Sequence, residues 1–126
     1  IGEYGDPKGN GNSIFVFEIS GLCIAHVGHL HHVLTRDQLK QLGRIDILFV
    51  PIDGGMTIRH EQALAVIEQV SPRMVIPMHL GFIGAAERFF AMARKLYPIK
   101  TESGATVLVS RRTLPKQTEI RFLQGG

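Results

Sequence analysis

"GLCIAHVGHLHHVLTRDQLKQLGRIDILFVP", residues 21–51, reads as a strand, a loop, a helix and a second strand in succession. LCIAHV (22–27) is apolar, and Ser20-Gly21 before it is a tight turn joining it to SIFVFEI (13–19), a run of aromatic and β-branched residues. The pair predicts a β-hairpin. Thr35 opens a helix over 35–43. Gln38 stands three residues later, the T-x-x-Q spacing in which side chain and backbone cap each other, and Gly43 is placed to close the helix. IDILFVP (45–51) is nearly continuous in apolar residues, as in a strand with both faces buried.

The pattern continues outward from this unit. Thr57 can cap a helix over 57–70, with Ala63, Val66, Ile67 and Val70 recurring on one face and Ser71-Pro72 stopping it. MVIPM (74–78) is a further buried strand, and residues 84–97 form a third helix carrying Phe89, Phe90 and Met92. ATVLVS (105–110) and TEIRFL (118–123) are two closing strands. Upstream, Gly2, Gly5, Gly9 and Gly11 mark residues 1–12 as a loose N-terminal loop. The order β–β–α–β–α–β–α–β–β describes a single α/β domain over residues 1–126, built on a mixed sheet whose central strands are parallel.

Composition narrows the function. The chain has 126 residues, 44% hydrophobic and 20% charged, ordinary for a globular domain. No apolar run approaches the roughly eighteen residues of a membrane span. The opening IGEYGDPKGNGNS has neither a basic nor an apolar signal region, so no signal peptide is expected. A single cysteine excludes an intrachain disulfide and suits a reducing compartment, the cytoplasm. Cys23 lies in the apolar run LCIA and is expected to be buried and inert. The net charge of +3 is spread along the chain, and its densest basic group is the pair Arg111-Arg112, so nucleic-acid binding is not expected.

The chemistry lies at strand ends. In parallel α/β sheets, ligands collect outside the carboxyl ends of the strands. Here the strand ending at Val27 runs into His29, His31 and His32, the one ending at Val50 into Asp53-Gly54-Gly55, and the one ending at Met78 into His79. Imidazoles and a carboxylate at one sheet edge are the donors of a zinc, manganese or iron site. Each also has a plainer reading. His26, inside its strand, serves equally as a ligand or as a histidine bonded to backbone. Only one of the adjacent His31 and His32 easily faces a given site. His60 suits a surface or capping role, and Asp53 can shape a turn.

Three segments, NSIFVFEISGLCIAHVGHLHHVLT, IDILFVPIDGGMTI and RMVIPMHL, resemble the C-terminal half of the metallo-β-lactamase-fold hydrolases. The branch resembled is that of the ascorbate-6-phosphate lactonase-like enzymes, with H-x-G-D-x-G-H, V-P-x-x-G-x-x-T-I and I-P-M-H-Y motifs. The resemblance covers about residues 10–123. It implies half of an αββα sandwich, a mixed sheet with helices on one face. It also implies a metal, zinc or manganese, and hydrolysis of an ester, lactone, amide or phosphodiester by metal-activated water. His79 matches the ligand histidine of I-P-M-H. His29 stands where the family has a bridging aspartate, while His26 and His32 match the first and last histidines of that motif. The implied metal set is therefore His79, His29, His26 and His32, for one ion at most, with Asp53 orienting an imidazole.

Two departures matter. A histidine at position 29 cannot bridge two ions as a carboxylate does. No H-x-H-x-D-H string occurs in the chain. The readings that follow are a metal-dependent hydrolase incomplete in this chain, acting on a small molecule, or a non-catalytic, self-associating α/β module with a residual metal site. Because IFVF, ILFV, MVIP and TVLV leave no face polar, the open side of the sheet is expected to be covered, by a second copy in a homodimer or by a missing N-terminal half.

Overall fold

A computed structural model describes residues 2–5, 13–27, 34–52, 60–78, 83–102, 104 and 106–123. Among these residues, seven strands form one sheet: β1 (Gly2–Gly5), β2 (Ser13–Ile19), β3 (Leu22–Val27), β4 (Ile47–Pro51), β5 (Met74–Met78), β6 (Ile99–Glu102) and β7 (Glu119–Leu123). The described residues also form three helices: α1 (Arg36–Leu42), α2 (His60–Val70) and α3 (Ile83–Ala93). The spatial order is β1-β2-β3-β4-β5-β7-β6. β1–β2 and β2–β3 pair antiparallel; β3–β4, β4–β5, β5–β7 and β6–β7 pair parallel. This is the expected mixed sheet.

Local chemistry explains most of the elements. Ser20 (φ 52°) and Gly21 (φ 79°) both take positive φ, so the two-residue turn follows the twist of the strands it joins. Thr35 accepts from Gln38 N at 3.1 Å while Gln38 Oε1 accepts from Thr35 N at 2.9 Å, completing the reciprocal cap of α1. Gly43 ends α1 at φ 63°, where a Cβ would be strained. Gln69 of α2 clamps the chain just before α1: its Oε1 accepts from Leu34 N at 3.0 Å and its Nε2 donates to Leu34 O at 2.9 Å.

All three helices lie on one face. The main cluster joins Leu42, Ala63, Val66, Ile67, Phe89 and Ala93 from the helices to Ile14, Ala25, Val27, Leu48, Val50, Val75 and Ile120 from the sheet. The opposite face holds a smaller cluster, Leu22, Ile47, Met74 and Ile76, to which no helix contributes among the described residues. Val107, Val109 and Leu114 pack on it instead. At ~25 cal/mol per Å² of apolar area removed from water, the helix-covered face supplies most of the burial energy.

Asp46 pins the amino ends of the parallel strands. Its Oδ2 accepts from Cys23 N at 2.9 Å, and its own N–H donates to Cys23 O at 2.8 Å. Its carbonyl accepts from Arg73 N and Met74 N, which joins β4 to β5. At the far edge, Arg121 donates to Glu102 (2.9 Å) and Glu119 (2.6 Å), with Lys100 3.5 Å from Glu119.

Several expectations need correction. Residues 106–110 of ATVLVS are not a strand; the segment keeps its alternation, with Val107 and Val109 packed inward and Leu108 91% exposed, but lies on the sheet face as a strap. The sixth strand is Ile99–Glu102, which docks parallel to β7. Gly2–Gly5, expected within the loose loop, is an edge strand, because antiparallel pairing with β2 needs only its backbone. The third helix ends at Ala93, where Leu96 and Tyr97 N–H groups turn back to Ala93 O ahead of Pro98. Cys23 is half-buried rather than buried. Thr57, offered as a helix cap, lies outside the described residues.

Candidate functional site at the carboxyl ends of β3, β4 and β5

β3, β4 and β5 are consecutive, parallel neighbours, so their carboxyl ends open at the same edge. The register aligns His26 with Phe49, Phe49 with Ile76, and Pro51 with Met78. Beyond these ends the chain continues directly into His29, Asp53 and His79, two, two and one residues after Val27, Pro51 and Met78. The topology thus gives those three residues a common point of departure. His29, His31, His32, Asp53 and His79 themselves lie outside the described residues. The expected approach of His29 to His79 lies outside them too.

His26 is the described member of the expected set. It is the penultimate residue of β3, half-buried, and shares the strand parity of Leu22 and Ile24, which belong to the face away from the helices. Its ring lies between two phenylalanines on the neighbouring strands. Phe15 meets it edge-on at 6.4 Å between centroids, and Phe49 stacks on it at 6.3 Å. Its Nδ1 is buried and has no hydrogen-bond partner among the described residues. A buried imidazole nitrogen left unpaired costs about 1–3 kcal/mol, so a partner is chemically called for at that atom. A metal ion or a polar donor would satisfy it. The plainer reading of His26, a histidine bonded to backbone, finds no such bond at Nδ1 among the described residues.

Sequence reading missed Phe15 and Phe49 as the walls around this imidazole. The two-residue turn at Ser20-Gly21 already pairs Phe15 with His26, whereas the pairing of Phe49 with His26 rests on the parallel register of β4, which only the structure gives. Among the described residues, no three of histidine, cysteine, aspartate and glutamate gather closely enough to hold an ion. His26 alone cannot hold one. His60 opens α2 on a different element. No helix among the described residues is long and apolar enough to cross a membrane.

Comparison with known proteins identifies the family and the fold. Residues 2–79 match the profile of the beta-lactamase superfamily domain. A UPF0173 metal-dependent hydrolase of Heliobacterium modesticaldum is 28% identical over 118 residues, 89% of this chain and 47% of the relative. Another UPF0173 metal-dependent hydrolase, of Carboxydothermus hydrogenoformans, is 33% identical over 75 residues, 60% of this chain and 31% of the relative. The matched part of the chain thus spans between about a third and a half of these relatives. Among solved structures, a candidate Zn-dependent hydrolase of the metallo-β-lactamase superfamily from Thermotoga maritima superposes with a TM-score of 0.73 at 28% identity, covering 89% of this chain and 58% of that one. The fold is that of a metallo-β-lactamase layer.

Proposed function

Because this chain belongs to the beta-lactamase superfamily domain family, we propose that it carries part of the metal site of a metal-dependent hydrolase, at the carboxyl ends of β3, β4 and β5. The observation that supports this most directly is His26 Nδ1, buried and unpartnered beside the three strand ends. His79, His29 and His32 follow from the same edge and complete the donor set with His26, and Asp53 orients one of the imidazoles. Imidazole donors suit zinc or manganese, and one ion is the most these residues can hold. A divalent ion supplies Lewis acidity and a hydroxide nucleophile near neutral pH. The protein's own part is to fix the imidazole: Phe15 and Phe49 restrict the His26 ring from both sides. The substrate is a small molecule with an ester, lactone, amide or phosphodiester bond, and the single cysteine supports a cytoplasmic setting.

One observation favours a second reading, a non-catalytic module with a residual metal site: no H-x-H-x-D-H string stands in these 126 residues. Metal analysis separates the two. The purified chain, loaded with zinc or manganese and dialysed, is expected to retain one ion and to hydrolyse a nitrophenyl ester or phosphodiester. His79→Ala and His29→Ala should both release the ion. His26→Phe keeps the ring packing, so its stability should stay within about 1 kcal/mol of the parent, while metal retention falls. Retention without hydrolysis selects the module. Undiminished retention in all three variants would sink the site.

A further inference from the structure

Leu34 is the first described residue after the histidine segment, and its side chain is buried in the main core. That burial draws the Leu34 backbone inward, where its N–H and C=O need partners. Helix α1 begins too late to supply them. Its first backbone bond runs from Leu39 N to Thr35 O, and the Thr35 N–H is taken by Gln38. Both groups of Leu34 go instead to Gln69, thirty-five positions away: Oε1 accepts from Leu34 N at 3.0 Å, and Nε2 donates to Leu34 O at 2.9 Å. A primary amide offers a donor and an acceptor side by side. Gln69 thus pairs with Leu34 as a residue of an antiparallel neighbour strand would.

Gln69 is itself held in place. It stands outside the apolar row of Ala63, Val66, Ile67 and Val70, where an amide is ordinarily solvated. Ser71 (φ 51°) closes the last turn of α2, its N–H donating to Ile67 O at 2.8 Å and its Oγ to Glu68 O at 2.9 Å. Fully buried Val66 and Ile67 fix the helix against the core. At the other end of the histidine segment, Val27 is fully buried and paired with Ile14. Residues 28–33, with His29, His31 and His32, therefore leave one fixed residue and rejoin the fold at another, and Gln69 secures the second.

On the metal-site reading given above, we propose that Gln69 is a positioning residue for that site: by clamping Leu34 it restricts the histidine segment and raises the affinity of His29 and His32 for the ion. An imidazole on a restrained backbone loses less freedom on binding than one on a loose segment. Two measurements on the purified 126-residue chain test this: zinc affinity by competition with a chromophoric chelator, and amide exchange without zinc. Gln69→Leu keeps the bulk of the side chain and removes both bonds. Zinc affinity should fall about tenfold, as when groups behind metal ligands are removed. Exchange over residues 28–35 should quicken about tenfold. Ile67→Val loosens the same helix without touching Leu34, and should change neither measure by more than about twofold although it lowers stability. Should Gln69→Leu unfold, Gln69→Glu, which withdraws only the donor to Leu34 O, is read against the same control. Unchanged zinc affinity in the Gln69 variant overturns the proposal, as do equal losses in it and in Ile67→Val. A parent chain that holds no zinc removes the metal site instead. Exchange then decides alone: a rise confined to residues 28–35 in the Gln69 variant sustains the clamp, and its absence overturns it.

Discussion

On the helix side of the sheet, Ile14, Ala25 and Leu48 are fully enclosed; on the other side, their chain neighbours Phe15, Ile24 and Phe49 remain half-exposed although each is larger than its neighbour. Strand alternation sends adjacent residues to opposite faces, so the contrast is between positions one residue apart. Hydrophobicity does not separate the two faces. What separates them is coverage. Three helices close one face, while a strap of nine residues (106–114), without ladder hydrogen bonds of its own, partly closes the other.

The sharpest way to break this comparison is to truncate Leu48 and Phe49 in turn. Leu48→Ala opens a cavity in the enclosed cluster and should cost about 3–4 kcal/mol in urea denaturation. Phe49→Ala removes a larger side chain that is still partly wet, and should cost about 1–2 kcal/mol. Equal losses would mean that the open face is covered in solution.

Asp46 tests whether the amino ends of the strands, where neither face dominates, are held by polar rather than apolar forces. Asp46→Ala leaves the Cys23 N–H without its acceptor, and should cost about 2–3 kcal/mol. A loss under half a kcal/mol would show that Arg44, Arg111 and Asp46 do not tie the face together. Farther from the sheet, Thr35→Ala removes the cap of α1 and should cost about 1 kcal/mol, with a matching rise in amide exchange at Gln38.

The smallest effect lies on the helix side. Partial burial, with the Glu68 carboxylate adding to it, raises the Tyr97 phenol above its ordinary value near 10. Above that pH the unfolded chain releases this proton while the folded one still holds it, so stability should fall slightly as pH rises from about 10 through the folded pKa. Tyr97→Phe should flatten that slope. A parent and variant with identical alkaline profiles would remove Tyr97 from the account.

Local signals carried the fold where they were self-contained. The turn at Ser20-Gly21, the T-x-x-Q cap and the runs LCIAHV and MVIPM each specify their element from within a few residues, and the strands stand where the runs do. ATVLVS and IKTE show the limit. ATVLVS has the stronger β pattern, yet the sheet admits IKTE, because a strand also needs a free partner edge, and IKTE finds one beside β7. For the candidate site, the sequence named the histidines and the strands they follow. It did not place Phe15 and Phe49 around His26, since that contact requires the antiparallel register of β2 and the parallel register of β4 together.

By itself, then, the sequence determined the helices, most strands, the parallel pairing of the central strands and the strand ends from which the histidine-bearing segments depart, all of which rest on periodicity, capping and topology. Only the tertiary structure decided which apolar face is enclosed and which segment becomes the strap. It also decided that the buried Nδ1 of His26 lacks a partner among the described residues. Those outcomes depend on residues far apart in the chain meeting in space. The Arg111 guanidinium on Gly21 O, ninety positions away, is the plainest case.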